Sequence, residues 1–255
     1  MFYTSDMHEL IEKLKSSRSV AVFTGAGVST LCGIPDFRGP QGLYKQPDAE
    51  RLFDIEWFQR DPSIYYRGCK GLIYGLRDFK PGPVHHVVAA LERAGLAQGV
   101  ITQNIDMLHQ KAGSRNVCEV HGSPLLHHCL ECGREKSFDE ICAMLETTAV
   151  PRCEHCGEAC KPDITFFGEM LPEQAFARSV ALAEKADLML VLGSSLTVHP
   201  AASIPPLTVR AGGELVIVNA QPTPLDAYSA LRYPDLKAFA DAVLAAWPSG
   251  ALTSP

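Results

Sequence analysis

The chain has 255 residues, a formal net charge of −6 and a hydrophobic content of 46%. This length allows one large domain, or a large domain with an insert, that buries a sizeable core. The longest apolar stretch, Leu188 to Leu192, is too short to span a bilayer. The mildly acidic balance argues against direct nucleic-acid binding and tolerates basic, lysine-bearing protein substrates. Nine cysteines without a secretory context favour reduced thiols and a metal site over disulfides, so we expect a cytoplasmic protein.

The strand-prone run Val20–Thr24 leads directly into Gly25, Ala26 and Gly27. Such a junction lets backbone N–H groups approach a pyrophosphate at a helix N-terminus, which suggests a dinucleotide site. A dinucleotide-dependent dehydrogenase would add a third glycine at position 30 and an acidic residue closing a second strand. Thr30 occupies that position, and no strand signal precedes the acidic residues near position 50. The pattern therefore indicates a dinucleotide without favouring hydride transfer.

A loop over residues 34–40 follows, and it brings an acid, an aromatic residue and an arginine beside this junction. Loops of this kind carry chemistry more often than packing. Residues 43–80 are then rich in aromatic side chains, have poor strand signals, and contain prolines at 47 and 62 that break the helical pattern. We predict a small helical insert that covers the cofactor loop.

Predicted strands and helices alternate through most of the remaining chain, which implies an α/β fold with a doubly wound, Rossmann-like parallel sheet. Two short strands deliver polar side chains beyond their carboxyl ends, where open α/β sheets bind ligands: Gln103, Asn104 and Asp106 after the first, and His121 after the second. Beyond the strand at 20–24, strands are predicted at 100–102, 117–120, 188–192 and 215–218, and helices at 5–17, 85–94, 172–185, 200–210 and 235–247.

Residues 122–163 interrupt this alternation with two Cys-x-x-Cys pairs, Cys129 with Cys132 and Cys153 with Cys156, separated by twenty residues. Two such knuckles can present four thiolates tetrahedrally, as a structural Zn²⁺ requires. Four thiolates leave no open coordination position, which argues against metal-dependent hydrolysis. Alternatives remain open at this point: one pair could be a redox motif, and a neighbouring side chain could replace one ligand, namely Cys160, His127, His128 or His155.

His121 is the candidate general base, because histidine accepts a proton near neutral pH without a large pKa shift. On position alone, a packed or capped histidine is an equally good interpretation. The emergence of Asn104 and Asp106 from a neighbouring strand favours catalysis. We interpret His109, on the helix after the Asn-Ile-Asp turn, as structural.

Seven motifs occur in one order, and this order is similar to that of the sirtuins, the NAD-dependent protein-lysine deacylases. The motifs are GAGVSTLCGIPDFRG at 25–39, TQNIDMLH at 102–109, VHG at 120–122, the two Cys-x-x-Cys pairs, FFGE at 166–169, GSS at 193–195 and VN at 218–219. The resemblance covers roughly residues 18 to 220. It implies a deacetylase of bacterial or archaeal type with one structural zinc. It also implies an NAD-binding domain formed by 1–42, 81–121 and 164–255, and a small domain formed by the helical insert 43–80 and a zinc-ribbon module 122–163.

The resemblance implies that an acyl group passes from a protein lysine to the ribose of NAD, giving nicotinamide, free lysine and 2′-O-acetyl-ADP-ribose. His121 would act as general base for the ribose hydroxyls, and Asn104 would orient the ribose or a water. Asp106 with Ile34 would hold the nicotinamide carboxamide. The other cofactor-binding residues that the resemblance implies are Gly25, Ala26, Gly27, Ser29, Asp36, Phe37, Arg38, Gln103, Gly193, Ser194, Ser195 and Asn219.

On the substrate side, the resemblance implies a peptide that adds as a strand along Thr165, Phe167, Gly168 and Glu169, with Phe167 lining the acyl-lysine tunnel. Sirtuins that prefer succinyl or malonyl groups carry a Tyr-x-x-Arg pair in the helical insert. The corresponding residues here are Tyr66 and Cys69, so a buried acyl carboxylate would lack its partner. We predict a neutral acyl group, acetyl first.

Two other functions compete with this interpretation. A mono-ADP-ribosyltransferase would pass the same activated ribose to a protein nucleophile, and product analysis separates the two enzymes. A non-catalytic zinc-containing binding module would have lost the site residues, and the presence of Asn104, Asp106 and His121 argues against it.

Overall fold

The computed structural model describes residues 6–37, 39, 42–45 and 49–247. This part of the chain contains nine strands: β1 (Val20–Thr24), β2 (Ala97–Thr102), β3 (Val117–Glu119), β4 (Gly122–Cys129), β5 (Glu135–Ser137), β6 (Cys160–Ile164), β7 (Leu188–Leu192), β8 (Glu214–Val218) and β9 (Leu231–Tyr233). Its α-helices are α1 (Asp6–Ser16), α2 (Gly27–Thr30), α3 (Ile55–Arg60), α4 (Pro62–Cys69), α5 (Pro83–Arg93), α6 (Leu108–Lys111), α7 (Phe138–Thr147), α8 (Glu173–Lys185), α9 (Pro205–Arg210) and α10 (Leu236–Ala246).

Six strands form a central sheet in the order β3-β2-β1-β7-β8-β9, and every neighbouring pair is parallel. The doubly wound α/β fold expected from the alternation is confirmed. The direction of strand order reverses between β1 and β7, which is the switch point where ligands bind in sheets of this kind.

Helices cover both faces of this sheet, so its central strands are buried throughout. Val20 and Val22 of β1 pack with α1, α5 and α10 on one face. Ala21 and Phe23 pack on the opposite face with residues of α8 and α9. This alternation follows from the two-residue period of a strand, and it explains why continuous apolar runs identified these strands.

A second, smaller region combines the helical insert with the cysteine-rich segment. Strands β5, β4 and β6 form an antiparallel sheet, and α7 packs beside it. One apolar cluster joins this sheet to α3 and α4, and its aromatic members are Phe53, Phe58, Tyr65, Tyr66, Tyr74, Phe138 and Phe166. Tyr74 stacks on Phe138 at a centroid separation of 5.8 Å. The insert and the cysteine-rich segment therefore share a single core, as a common small domain requires.

The observed elements depart from the predicted ones at a few places. The helix expected near 200–210 is a 3₁₀ turn at Ala201–Ser203 followed by α9. Strand β9 and the antiparallel sheet of the small region had no sequence prediction. The expected start of the first helix at residue 5 and the C-terminal tail lie outside the described residues. No helix within the described ranges is both long and apolar enough to cross a membrane.

Candidate active site

A cavity of about 720 Å³ lies at the carboxyl ends of the parallel strands, beside the switch point. It brings together residues from motifs that are far apart in the chain. Its lining includes these predicted site residues: Gly25, Ala26, Gly27, Asp36, Phe37, Gln103, Asn104, His121, Thr165, Phe167, Gly168, Glu169, Gly193, Ser194, Ser195 and Asn219.

His121 follows β3 and is half-buried at the cavity wall. Its Nδ1 lies 2.9 Å from the backbone carbonyl oxygen of Gln103. Since a carbonyl oxygen only accepts hydrogen bonds, this contact places the proton of the neutral imidazole on Nδ1. Nε2 is then the nitrogen that can take up a proton, and the same carbonyl stabilises the imidazolium that forms. The structure thus supplies the tautomer that a general base needs.

Asn104 and Asp106 are held by Ser29 of α2, which is buried. The Ser29 hydroxyl donates to Asp106 Oδ2 at 2.6 Å and accepts from Asn104 Nδ2 at 3.2 Å. The second Nδ2 hydrogen of Asn104 goes to the Gly25 carbonyl oxygen at 3.2 Å. With both amide hydrogens donated, Oδ1 of Asn104 is the atom able to accept a hydrogen bond from a ribose hydroxyl or a water.

A smaller cavity of about 30 Å³ adjoins Asn104 on the side of α2. Ser29, Ile34 and Asp106 line this small cavity and do not line the large one. The Ser29 hydroxyl is hydrogen-bonded to Asp106 and Asn104, and its contact with a phosphate stays a prediction. Ile34 and Asp106 both line this small cavity, and their role as a pair that holds a small planar amide stays a prediction.

The glycines after β1 serve loop packing as well as the cavity. The Gly25 and Gly27 amides donate to the carbonyl oxygens of Leu192 and Gly193, at 3.0 and 2.9 Å. A Cβ atom on either glycine would lie 2.8 Å from the Gly193 carbonyl oxygen. These two amides are thus already hydrogen-bonded within the protein, and glycine is required because the loops after β1 and β7 touch.

The far end of the cavity is built from the loops after β2, β7 and β8. Gln103 Nε2 donates to Ser194 Oγ at 2.7 Å, and this hydroxyl also accepts from the Leu196 amide at 3.2 Å. Asn219 Nδ2 donates to the carbonyl oxygen of Gln221 at 2.8 Å. These bonds fix polar groups along one wall, where a nucleotide would find hydroxyl and amide partners.

The FFGE loop is anchored to both regions of the molecule. The Thr165 amide donates to the His121 carbonyl oxygen at 2.8 Å. The Phe167 amide donates to the Phe53 carbonyl oxygen at 2.6 Å, and the Ile55 amide donates to the Phe167 carbonyl oxygen at 3.1 Å. The Phe167 side chain is 43% exposed. Gly168 adopts a φ of +92°, which favours glycine.

The four predicted zinc ligands form one cluster, with Sγ atoms all within 4.8 Å of one another. Sγ separations are 3.3 Å for Cys129 and Cys156, 3.6 Å for Cys132 and Cys153, and 3.7 Å for Cys132 and Cys156. A tetrahedral zinc with Zn–S bonds of about 2.3 Å requires separations of about 3.8 Å, so the donors fit this ion. Backbone N–H groups of Cys156 and His155 lower the pKa of Cys153 to about 6, which favours the ligating thiolate.

The alternative ligands lie outside this cluster. His127 is bonded to the Tyr74 hydroxyl through Nε2 at 2.9 Å, and His128 Nδ1 lies 2.5 Å from Asp163. Cys160 pairs with Cys129 across the sheet, and neither Cys160 nor His155 belongs to the four-thiol set found in the described residues.

Residues 25–200 match the protein-family model described as the Sir2 family. The chain belongs to this family. A relative from Thermotoga maritima, an NAD-dependent protein deacetylase, is 45% identical over 227 residues, which are 89% of this chain and 92% of the relative. A solved Sir2 complex with a deacetylated p53 peptide and 3′-O-acetyl ADP-ribose has a TM-score of 0.90 at 44% identity and covers 94% of this chain and 98% of that chain. A Sir2 complex with a p53 peptide and NAD⁺ has a TM-score of 0.87 at 44% identity, covering 94% and 97%.

Two residues that the sirtuin resemblance assigned to the acyl pocket are placed elsewhere. Tyr66 and Cys69 of α4 are buried, at 1% and 0% exposure, and line neither cavity. The Tyr66 hydroxyl donates to the Cys160 carbonyl oxygen. Burial raises the pKa of the Tyr66 hydroxyl and the pKa of the Cys69 thiol. Their face of α4 packs into the aromatic core, so neither side chain reaches a cavity here, and their contact with substrate stays a prediction.

Other cavity residues were missed by sequence reasoning in this Sir2 family member. His199 follows β7, and Leu236 and Lys237 begin α10, directly after β9. If β9 had been predicted, the start of α10 would have been expected at the same edge of the sheet as the other loops that line the cavity. Arg38, a predicted cofactor residue, lies outside the described residues, whereas its neighbours Asp36 and Phe37 line the cavity.

Proposed function

We infer that this sirtuin removes acetyl groups from lysine side chains of proteins with NAD as co-substrate. The observation that carries this inference is the arrangement of His121. Its proton is held on Nδ1 by the Gln103 carbonyl, and it lines one cavity with Asn104 and the FFGE loop. A single cavity with these walls accommodates a dinucleotide and an acylated lysine side by side.

Within this site, His121 accepts the proton of a ribose hydroxyl through Nε2 and is stabilised as a cation by Gln103. Asn104 accepts a hydrogen bond through Oδ1 and so orients a ribose hydroxyl or a water. Asp106, fixed by Ser29 beside Ile34, takes the carboxamide of nicotinamide in the small cavity. Bound NAD supplies the electrophilic ribose carbon and the acceptor of the acyl group. The chain contributes positioning and charge placement.

We assign the remaining cofactor contacts to the loops that line the large cavity. Gly25, Ala26 and Gly27 lie at the phosphates, Asp36 and Phe37 lie over the reactive ribose, and the residues after β7 and β8 take the adenosine side. Support comes from their shared cavity. Arg38 remains a predicted cofactor-binding residue, and only its place in the motif at 25–39 supports this prediction.

The acyl group is proposed to be neutral, with acetyl preferred over succinyl. Of the lysines and arginines in the described residues, only Lys237 lines the cavity, and its Nζ is 2.6 Å from Asp241 Oδ2 on α10. A succinyl carboxylate would therefore be buried without a cationic partner, which is costly.

The organisation of the chain is proposed to be that of a Rossmann-like domain and a small domain with the boundaries given above. The common aromatic core of the helical insert and the zinc module supports this division. The cysteines of the described residues are all unpaired thiols, which fits a reducing compartment, and we place the protein in the cytoplasm.

The test is a reaction of the purified protein with NAD and an acetyl-lysine peptide, beside the succinyl-lysine peptide, followed by mass spectrometry. We expect nicotinamide, O-acetyl-ADP-ribose and free lysine in equal amounts. His121→Ala should lower kcat/KM by about 10² to 10⁴-fold, since it removes the general base. His8→Ala, an exposed histidine on α1, is the matched control and should keep wild-type rates.

Product analysis also separates deacetylation from the competing ADP-ribosyl transfer. Nicotinamide release with the acetyl group retained on the peptide, together with ADP-ribose on protein, would contradict deacetylation. Equal rates with acetyl and succinyl peptides would contradict the argument for a neutral acyl group and leave the deacetylase reaction standing.

A further inference from the structure

Lys161 is a buried lysine outside the catalytic groups already described. It lies on β6 with 2% exposure. Its ammonium donates to the carbonyl oxygens of Pro162 and Ile164 at 3.1 and 2.8 Å, and lies 2.9 Å from Glu169 Oε2. An ammonium has three hydrogens, and these three acceptors satisfy all of them. Burial lowers the pKa of Lys161, and Glu169 acts in the opposite direction.

Glu169 connects this ammonium to the loop at the cavity. Its Oε2 also accepts the Phe166 amide at 2.7 Å, and its own amide donates to the Phe166 carbonyl oxygen at 3.1 Å. The Lys161 Nζ in turn lies 4.1 Å from the centroid of the Phe166 ring. One carboxylate therefore closes the turn from Phe166 to Glu169 and ties it to the zinc module.

The turn held in this way is part of the cavity wall. Phe166, Phe167, Gly168 and Glu169 all line the large cavity. The Phe167 backbone is already hydrogen-bonded to Phe53 and Ile55 on the helical insert. The conformation of Gly168, at φ +92°, therefore sets which backbone groups an incoming peptide meets.

We propose that Lys161 is a positioning residue for the acylated peptide: through Glu169 it fixes the Phe166–Glu169 turn in the conformation that binds substrate. This proposal rests on the proposed deacetylase function. Lys161 does not contact substrate and takes no part in proton transfer. Its effect falls on peptide binding, and not on the use of NAD.

The ion pair between buried Lys161 and partly exposed Glu169 gives the proposal a distinctive signature. Lys161 is 2% exposed, whereas the Glu169 side chain is 29% exposed. Removal of the Glu169 charge therefore leaves the Lys161 ammonium buried without its partner, which is strongly unfavourable, whereas removal of both charges costs much less. Lys161→Met keeps the length of the side chain without its charge. Glu169→Gln keeps an oxygen that accepts the Phe166 amide. The double variant should thus bind peptide better than either single variant.

The experiment measures steady-state deacetylation of an acetyl-lysine peptide by wild type, the two single variants and the double variant. We expect each single variant to raise the KM for peptide about tenfold, with kcat and the KM for NAD within a factor of about 3, and the double variant to regain much of the loss. Lys136→Met is the matched control, because Lys136 in the same module pairs at 3.0 Å with Glu154, which is 83% exposed. It should leave all three parameters unchanged.

Zinc content and the thermal midpoint of each variant identify loss of folding. If Lys161→Met fails to fold, the comparison of Glu169→Gln with the double variant carries the test. An unchanged peptide KM in the folded variants, a double variant equal to the product of the two singles, or a loss shared equally by the NAD parameters would overturn the proposal. An inactive wild type would instead refute the proposed function itself.

Discussion

The central sheet and the small region are stabilised in different ways. The core of the sheet is mainly aliphatic, and each of its central strands is a short continuous run of residues buried on both faces. The core of the small region is aromatic and is assembled from the helical insert, the cysteine-rich segment and Phe166. The first core follows from the two-residue period of each strand, whereas the second is assembled from segments that are far apart in the chain. The catalytic cavity lies where the two regions meet.

Removal of zinc should give the largest difference in stability between the two regions. Structural zinc contributes about 10 kcal/mol in small zinc-binding folds, so chelation or Cys153→Ser should unfold the small region and abolish deacetylation while the sheet persists. Hydrogen exchange should show protection retained in β1 and β7 and lost in β4 to β6. Cys142→Ser, a cysteine of α7 outside the cluster, is the control and should retain zinc. Equal loss of protection in both sheets would show that they form one cooperative unit.

Gly193→Ala should destabilise the part of the cavity wall that the loops of the central sheet form. Gly193 has a φ of +63°, and a Cβ there would lie 2.6 Å from the Val28 nitrogen. Strain and collision together should lower the free energy of unfolding by about 3 kcal/mol or more and raise the KM for NAD. Denaturant unfolding and NAD titration measure both effects.

Gly212→Ala provides the control for this substitution. Gly212 also has a positive φ, +91°, but a Cβ atom added to it would meet no atom within 4 Å. It should therefore cost only about 1 kcal/mol, the strain alone, with the KM for NAD unchanged. Equal effects of the two substitutions would refute the collision argument.

The pH dependence of stability should reveal a buried histidine in the sheet region. Burial lowers the pKa of His109 to about 3, and its Nε2 lies 3.0 Å from Thr24 Oγ1. In the unfolded chain this histidine takes up a proton below about pH 6.5, whereas in the folded chain it stays neutral. The free energy of unfolding therefore decreases as the pH is lowered from about 6.5 to about 3. At pH 5 this residue should cost about 2 kcal/mol relative to pH 7.

His109→Gln isolates that contribution, because glutamine can still donate to Thr24 but does not titrate. The pH 7 to pH 5 loss in the free energy of unfolding should be smaller in the variant by the amount given above. Parallel stability curves for the two proteins would show that His109 is also protonated in the folded state at pH 5.

The smallest predicted effect compares neighbouring tyrosines in the aromatic core. The Tyr65 hydroxyl is buried and makes no hydrogen bond to any residue in the described ranges, whereas the Tyr66 hydroxyl donates to Cys160. Tyr65→Phe should therefore be neutral or stabilise the protein by up to about 1 kcal/mol, and Tyr66→Phe should destabilise it by about 1 to 2 kcal/mol. Thermal unfolding of the two variants measures the difference, and the reverse order would contradict it.

The sequence was informative where burial is continuous and the motif is local. The strands β1 and β7 carry uninterrupted apolar runs. The spacing within and between the two Cys-x-x-Cys pairs is enough to predict a four-thiolate metal site. Strand β9 escaped prediction because it has three residues, of which only Tyr233 is buried. Strand β4 escaped because it begins with Gly122 and contains Pro124, and both residue types are weak strand formers.

The predicted site residues that do not line the large cavity have a common physical explanation. Motif matching located Ser29, Tyr66 and Cys69 along the chain, but not the direction of their side chains. Which face of a helix meets the cavity depends on packing against segments far away in sequence, such as Asp106 for Ser29 and Cys160 for Tyr66. The same limit hid the bond between Lys161 and Glu169, since nothing in the local pattern marks a lysine as buried.

The bond from the Thr165 amide to the His121 carbonyl oxygen joins the proton acceptor to the loop that receives the peptide. This backbone bond of 2.8 Å fixes the start of the loop directly at the residue that carries the base. The position of the base is therefore coupled to the position of the substrate loop, and a change in one of them alone would break this bond.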